Sequence, residues 1–276
     1  MKIPFYQVDA FTSRIFGGNP AAVCLLDSWP DNGLLQEIAA ENNLSETAFL
    51  VKKSKGRYAL RWFTPAVEID LCGHATLASA FVVFSFLDKS LSVVDFVTAS
   101  GLLSVSRSND LLSMDFPSRP ASPAETPPLL ARALGAEPLA VFRSRDLLAV
   151  FEAEAVIRDM QPDFDQLKQI RDAFAVIVTA PGDQSDFVSR FFAPNAGIPE
   201  DPVTGSAHCT LIPYWAGQLK KTELHALQLS RRGGELFCED LGDRVKISGY
   251  AALYAEGELH LPPSMAGLHS GTNTSR

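Results

Sequence analysis

The chain has 276 residues, of which 46% are hydrophobic, and a formal net charge of −8. This length accommodates one large domain or two of ordinary size, with a sizeable core. Lysine and arginine occur in no run longer than a pair, which excludes the basic surface that nucleic-acid binding requires.

Targeting and membrane signals also bear on the class of protein. The N-terminus lacks the basic-then-apolar layout of a signal peptide, and the longest apolar run, residues 78–87, is too short to span a bilayer. The four cysteines are scattered without a CxxC pair, as expected in a reducing compartment. These features predict a cytoplasmic protein with neither nucleic-acid nor membrane partners.

The first part of the chain combines short strands with two helices. Alternating apolar residues predict a strand over 3–10, and apolar residues at helical spacing predict a helix over 31–42. An Ala- and Val-rich run predicts a second helix over 75–84. Further strands are predicted over 21–26, 43–51, 58–63, 91–97, 102–107 and 111–116.

A proline-rich segment then divides the chain. Residues 117–128 hold five prolines, which remove backbone donors and favour an extended path. We therefore predict an N-terminal half over 1–118, a C-terminal half over 119–264, whose last strand could complete the first half, and a mobile polar tail over 265–276.

The order of elements restarts beyond this segment. The predicted elements are strands over 139–142, 147–151, 173–179, 236–238, 245–248 and 251–259 and a helix over 163–170. Residues 189–194 (SRFFAP) echo residues 60–65 (LRWFTP). The chain therefore reads as two copies of one α+β unit, which places a site in the cleft between them.

Each copy contains a short acidic loop and then a helix that begins with glycine. The two starts are Gly73-His74-Ala75 and Gly205-Ser206-Ala207. The first N–H groups of a helix lack intrahelical partners and carry partial positive charge, so they bind anions such as carboxylates. If the two helix starts face each other, we expect them to form a paired anion-binding site.

Four side chains near these turns are candidates for chemistry: Glu46, His74, Asp201 and Ser206. Glu46 is either a surface turn residue or, if desolvated in a cleft, a general base. His74 either packs at its helix start or exchanges a proton with substrate, and the positive helix end predicts a lowered pKa. Asp201 is a turn residue or a site group, and Ser206 caps its helix or binds substrate.

Metal and cofactor sites are disfavoured by spacing. Cys72, His74, His208 and Cys209 could form a zinc site, but adjacent helical residues such as His208 and Cys209 point apart. Cys72 could also act as a nucleophile, because a helix start favours the thiolate. The GGNP segment at 17–20 lacks the spacing of a dinucleotide fingerprint. We predict no cofactor and no metal.

Several ordered motifs resemble those of the PhzF family, the phenazine biosynthesis-like proteins. The matching segments are DAFT at 9–12, GNPAAV at 18–23, NLSETAF at 43–49, RWFTP at 61–65, LCGHAT at 71–76, FAP at 192–194, EDPVTGSAH at 200–208 and RGGEL at 232–236. They span most of the chain in the order expected for the family.

This resemblance implies the diaminopimelate-epimerase-like fold, with two pseudo-symmetric α+β halves, each a curled, mostly antiparallel sheet or barrel around a central helix. It also implies a cofactor-free isomerase, usually a homodimer. The role of the glutamate that moves a proton on a dihydro-hydroxyanthranilate then falls on Glu46, and His74, Asp201 and Ser206 match its supporting residues. The matching substrate-binding positions are Gly18, Asn19, Gly73, Ala75, Gly205 and Ala207.

A missing thiol bears on the mechanism. Related epimerases use two cysteines, one from each half, and Cys72 lies at the first of these positions. No thiol stands near Pro202-Val203, the corresponding place in the second half. One carboxylate can move a proton between two carbons on one face without a second base.

We therefore predict an isomerase of a small carboxylic acid. Two alternatives stay open. One is an epimerase or racemase that uses Cys72 with another base. The other is a catalytically silent binding protein on the same fold.

Overall fold

The computed structural model describes residues 1–262, so the tail predicted over 265–276 lies outside the described residues. The strands are β1 (Lys2–Ala10), β2 (Asn19–Leu26), β3 (Glu46–Ser54), β4 (Arg57–Phe63), β5 (Glu68–Ile69), β6 (Val93–Thr98), β7 (Gly101–Ser108), β8 (Leu111–Pro117), β9 (Ser122–Pro123), β10 (Ala140–Arg143), β11 (Leu147–Val150), β12 (Val176–Pro181), β13 (Phe187–Ala193), β14 (Ile198–Asp201), β15 (Glu223–Gln228), β16 (Gly234–Asp240), β17 (Arg244–Gly249) and β18 (Ala251–His260). The helices are α1 (Asn32–Asn42), α2 (Gly73–Val82), α3 (Leu130–Leu134), α4 (Glu154–Asp159), α5 (Phe164–Leu167) and α6 (Gly205–Leu219).

The N-terminal strands curl around helix α2. Their hydrogen-bonded order is β18-β1-β2-β3-β4-β6-β7-β8, with parallel pairs at β2–β3 and β4–β6. Helix α2 contacts β1, β2, β3 and β8. The helix is rich in small buried residues, including the fully buried Ala75, Ala78 and Ala80. Such small side chains allow strands to approach the helix from several sides.

The C-terminal strands repeat this arrangement around helix α6, which packs against β15, β16 and β17. The pairs β11–β12 and β13–β15 are parallel, as β2–β3 and β4–β6 are in the first half. The antiparallel pair β12–β13 likewise corresponds to β3–β4. The sequence of pairings therefore occurs twice along the chain.

Two strand pairs join the halves. Strand β8 pairs with β17 from Leu112 opposite Gly249 to Pro117 opposite Arg244, and β18 pairs with β1. The last strand, β18, thus lies in the N-terminal sheet. The largest hydrophobic core contains residues of both central helices, such as Ala75 of α2 and Trp215 of α6. The division of the chain at residues 118 and 119 stays a prediction.

The second half differs locally from the sequence prediction. The helix predicted over 163–170 is the single turn α5, whose start is capped by Asp163. Strand β15 was not predicted, because the buried Gln228 at its end interrupts the apolar pattern. Helices α3 and α4 were also missed; each has six residues or fewer, too few to show a helical period.

The structure gives one result on membranes. None of the helices formed within residues 1–262 is long and apolar enough to cross a bilayer. A cytoplasmic location stays a prediction.

Candidate active site

Glu46 is buried at the start of β3. Helix α1 ends at Asn43, whose left-handed backbone (φ 47°) suits asparagine and turns the chain toward the strand. Glu46 then pairs in parallel register with Ala21 of β2 and is only 6% exposed. It is therefore a buried carboxylate and not a surface turn residue.

Glu46, Cys72 and His74 come together between β3 and the start of α2, and we refer to these three residues as the buried cluster. Glu46 Oε2 lies 2.8 Å from His74 Nε2, and Cys72 Sγ lies 3.6 Å from His74 Nδ1. Although Glu46 Oε2 is close to the ring, no donor among the described residues is aligned for a hydrogen bond to it. This oxygen can therefore accept a proton from another group.

The charge of His74 is set by its neighbours. Burial alone would lower its pKa, but the negative charges of Cys72 and Glu46 outweigh burial and raise the pKa well above its usual value. Burial, followed by the charge of Glu46, raises the pKa of the Cys72 thiol, which disfavours its thiolate. The lowered pKa predicted for His74 is wrong, because a carboxylate in contact outweighs the partial charge of a helix start.

Asn19 links the buried cluster to the second half of the chain. Its Nδ2 lies 3.1 Å from His74 Nδ1, 2.8 Å from Asp201 Oδ1 and 2.9 Å from Val203 O. An amide nitrogen carries two hydrogens, so three acceptors compete for two donors. His74 Nδ1 can accept one of them only in the neutral ring. In the charged ring, which the raised pKa favours, Nδ1 carries a hydrogen and Asn19 donates to Asp201 Oδ1 and Val203 O.

Asp201 ends β14 and lies beside this link. Its Oδ2 accepts a hydrogen bond from Thr204 Oγ1 at 2.5 Å. Burial raises the pKa of Asp201 to about 6, although the charge of His74 and the hydrogen bonds from Thr204 and Asn19 act in the opposite direction. This carboxyl group therefore titrates close to neutral pH.

The two central helices begin opposite each other. A methyl group on Gly73 would lie 3.6 Å from Gly205 Cα, and one on Gly205 would lie 3.7 Å from Gly73 Cα. Neither N-cap residue, Cys72 for α2 or Thr204 for α6, makes a side-chain capping bond. The N-cap side chains therefore leave the first N–H groups of both helices without a standard capping hydrogen bond, which suits an anion site.

The predicted substrate-binding positions Gly18, Ala75 and Ala207 are packed inside the fold. Gly18, with φ 60°, donates its N–H to Gly233 O at 2.8 Å and accepts from Arg232 Nε at 2.8 Å. Both backbone groups are engaged, so Gly18 holds the neighbouring Asn19 in place. The side chains of Ala75 and Ala207 are buried in the core, which leaves their backbone as the part that could meet a substrate.

Ser206 makes no hydrogen bond to the buried cluster within residues 1–262. Its Oγ accepts a hydrogen bond from Arg145 Nη2 at 3.2 Å. The structure thus connects Glu46, His74 and Asp201 through Asn19, whereas the contact of Ser206 is with a residue of the β10–β11 hairpin.

Three polar residues near Asp201 and Ser206 were missed by sequence reasoning. Gln228 at the end of β15 accepts from the Thr204 N–H at 2.9 Å and donates to Asp201 O at 2.8 Å. Thr204 lies within the EDPVTGSAH motif at 200–208, so the sequence did mark its position as part of the site. Arg145 and Gln228 come from distant parts of the chain, and nothing in their local sequence marks them.

The buried cluster also offers possible metal ligands, since one ligand atom from each of its residues lies within 4.8 Å of the others. It contains Cys72 and His74 of the zinc set considered above, but not His208 or Cys209. The His208 Nδ1 lies 2.8 Å from Thr204 O, and Cys209 Sγ contacts Gly205 O. The absence of a metal stays a prediction.

Comparison with known proteins identifies the family. Residues 8–257 match the family model described as phenazine biosynthesis-like protein, PhzC-PhzF. The chain belongs to the PhzC-PhzF family. An "uncharacterized isomerase" from Pseudomonas aeruginosa is 53% identical over 261 residues, which cover 95% of this chain and 100% of the relative. A crystal structure of a PhzF-family protein from Enterococcus faecalis is 48% identical, with a TM-score of 0.93, and the match covers 95% of this chain and 100% of that one.

More distant structures share the fold. A hydroxyproline epimerase from Agrobacterium vitis with bound trans-4-OH-L-proline is 11% identical, with a TM-score of 0.60 over 96% of this chain and 95% of the epimerase. The predicted family and the diaminopimelate-epimerase-like fold are confirmed. This member of the PhzC-PhzF family is an isomerase- or epimerase-type enzyme with a small-molecule substrate.

Proposed function

We propose that this PhzC-PhzF protein is a cofactor-independent isomerase in which Glu46 moves a proton on a small carboxylic acid. The supporting observation is Glu46 Oε2, which is buried, lies 2.8 Å from His74 Nε2 and has no other donor hydrogen-bonded to it among residues 1–262. A general base needs such an available oxygen in a partly desolvated place.

The helix starts at Gly73 and Gly205 would hold the substrate carboxylate through their N–H groups. Glu46 takes a proton from a carbon whose electron pair can delocalise toward that carboxylate, where the N–H groups stabilise the developing charge. The protonated Glu46 then returns the proton to a second carbon on the same face. The substrate must therefore carry a C=C bond that shifts as the proton moves. One C–H bond and one C=C π bond break and one of each forms, so the substrate is isomerised without redox change.

His74 and Asp201 support this step as polar neighbours. The raised pKa of His74 favours the positively charged ring, which stabilises the ionised Glu46 between turnovers. Asn19 fixes the ring relative to Asp201, whose pKa of about 6 allows it to give or take a proton as the substrate changes charge.

A proton-exchange screen tests the proposal. Small carboxylic acids are incubated with the enzyme in deuterated water, and NMR records exchange or migration of their C–H protons. Glu46→Gln keeps the shape and removes the base, so it should abolish the exchange that the wild type shows. Glu41→Gln, which changes an exposed carboxylate of α1, is the matched control and should exchange like the wild type. Full exchange by E46Q would contradict the proposal.

A second candidate is an epimerase in which Cys72 is a base. Its support is the 3.6 Å distance from Cys72 Sγ to His74 Nδ1, whereas burial raises the pKa of the thiol and disfavours the thiolate. Cys72→Ser would lose exchange under this mechanism and keep it under ours. A wild type inactive on every acid would favour a catalytically silent binding protein.

We also propose a homodimer, as the family resemblance implies. Light scattering should then give twice the chain mass of 29.9 kDa. A single chain mass at assay concentration would contradict the dimer.

A further inference from the structure

Arg145 is an arginine held rigidly beside the start of helix α6. Its Nε and Nη2 donate to Oδ1 and Oδ2 of Asp146 at 3.0 and 2.8 Å, and Asp146 is only 2% exposed. The guanidinium carbon also lies 4.8 Å from the centre of the Phe174 ring. A two-point ion pair and an aromatic contact fix the plane of the guanidinium.

This orientation directs the arginine toward Ser206. Nη2 donates to Ser206 Oγ at 3.2 Å, next to Gly205, where α6 begins. Because the hydroxyl accepts from Arg145, its own hydrogen is free to be donated. Nη1 makes no hydrogen bond to any residue in the described part of the chain, and the Arg145 side chain is 39% exposed. The Nη1 group of Arg145 and the Ser206 hydroxyl are therefore both available as donors.

Further positive charge surrounds this position. Burial raises the pKa of Cys209, one turn along α6, to about 11, while the charges of Arg119, Arg145 and Arg244 act to lower it. The backbone N–H of Arg119 donates to Cys209 O at 2.8 Å, which holds the Arg119 backbone against the helix. Arg145 is paired with Asp146 and Arg244 with Asp115, so Arg119 is the arginine of these three that has no ion pair within residues 1–262.

We infer that Arg145 and Ser206 bind a second carboxylate of the substrate, so that the preferred substrate is a dicarboxylic acid. This inference rests on the proposed function, in which the first carboxylate lies between the helix starts. Asp146 occupies the Nε and Nη2 edge of Arg145, so Nη1 and the Ser206 hydroxyl supply one donor each for the two oxygens of a carboxylate. The buried Asp146 is the positioning residue for Arg145.

Binding of two four-carbon acids tests the inference without the reaction. Succinate and butyrate are titrated into the wild-type protein by NMR. A charge-assisted carboxylate contact should make succinate bind about tenfold or more tightly than butyrate. Equal affinities, or no succinate binding in the millimolar range, would overturn the inference.

Variants then assign the preference to Arg145. Arg145→Gln alone would leave Asp146 buried without its partner, so the main variant is R145Q with D146N, checked by thermal unfolding. It should bring the succinate-to-butyrate ratio close to one. Arg143→Gln, which removes an arginine of the same hairpin that pairs with Asp172, should keep the wild-type ratio. An unchanged ratio in the folded double variant would overturn the inference.

Glu46→Gln separates this inference from the proposed function. If both hold, E46Q loses proton exchange but keeps the preference for succinate. Proton exchange that persists in E46Q contradicts the role of Glu46. Loss of the succinate preference only in the Arg145 double variant supports the second-carboxylate site, whether or not E46Q loses exchange.

Discussion

Asn19→Ala would remove a side chain that joins His74 of the first half to Asp201 of the second. Asn19 is fully buried, and its Nδ2 lies within 2.9 Å of Asp201 Oδ1 and of Val203 O. The substitution leaves both oxygens without this donor. It also removes the contact at 3.1 Å that orients the His74 ring.

The magnitude follows from the two acceptors. A hydrogen bond to a charged group contributes about 1.5–3 kcal/mol and a neutral one about 1 kcal/mol. We therefore expect N19A to lower the free energy of unfolding at neutral pH by about 3 kcal/mol. Asn42→Ala is the matched control, because Asn42 Nδ2 donates to the neutral Thr47 Oγ1 at 3.1 Å on a partly buried side chain, and it should lose about 1 kcal/mol or less.

The loss should depend on pH through Asp201. Its pKa is about 6 in the folded protein, against an ordinary value of 3.8, so the protonated form favours folding and this contribution fades as pH rises toward and past 6. The Asn19 hydrogen bond favours the ionised form, so its removal raises the pKa further. The destabilisation by N19A should therefore be larger at about pH 8 than at about pH 5.

Urea unfolding of the wild type, N19A and N42A at both pH values measures these effects. A loss for N19A no larger than that for N42A would refute the assignment of Asn19 as the link. A pH-independent loss would refute its hydrogen bond to the Asp201 carboxylate.

Three further predictions concern the site and its frame. Gly205→Ala should change stability by less than about 1 kcal/mol, since the methyl group meets Gly73 at an ordinary 3.7 Å, but should lower kcat/KM about tenfold or more by filling the gap between the helix starts. Arg232→Met leaves the 2%-exposed Asp9 carboxylate without its partner at 2.7 Å, so it should lower the free energy of unfolding, measured in urea, by about 3 kcal/mol. Arg244→Met is the control: it removes an exposed ion pair and should lower the free energy of unfolding by less than about 1 kcal/mol. Dialysis against a chelator should leave proton exchange unchanged; a loss restored by one divalent metal would instead assign a metal to the buried cluster.

The repeat of elements explains how much of the fold could be predicted. The glycine-led helix starts at Gly73 and Gly205 are local patterns, and two copies in one chain imply that they face each other. The position of Glu46 at the start of a strand is also indicated by a local sequence pattern. Patterns of this kind depend on neighbouring residues, so they can be recognised without coordinates.

The contacts that complete the site depend on distant residues. Asn19 and Asp201 are 182 positions apart, and Arg145 meets Ser206 across 61 positions, so no local pattern indicates either pair. The pKa of His74 was mispredicted for the same reason. The helix start is visible in the sequence, but the contact with Glu46 that reverses the shift arises only when β3 packs beside α2.

The central claim is that one carboxylate, Glu46, carries the proton. The most direct test follows deuterium in single-turnover reactions of wild type and E46Q with an acid found to exchange in the NMR screen. We predict that the wild type adds hydrogen at the second carbon on the face from which the proton left, either as the substrate's own proton or as deuterium where the Glu46 carboxyl exchanges with solvent before reprotonation, and that E46Q adds none. Deuterium incorporated by E46Q at the wild-type rate, or on the opposite face of the same carbon, would contradict a single-base isomerase built on Glu46.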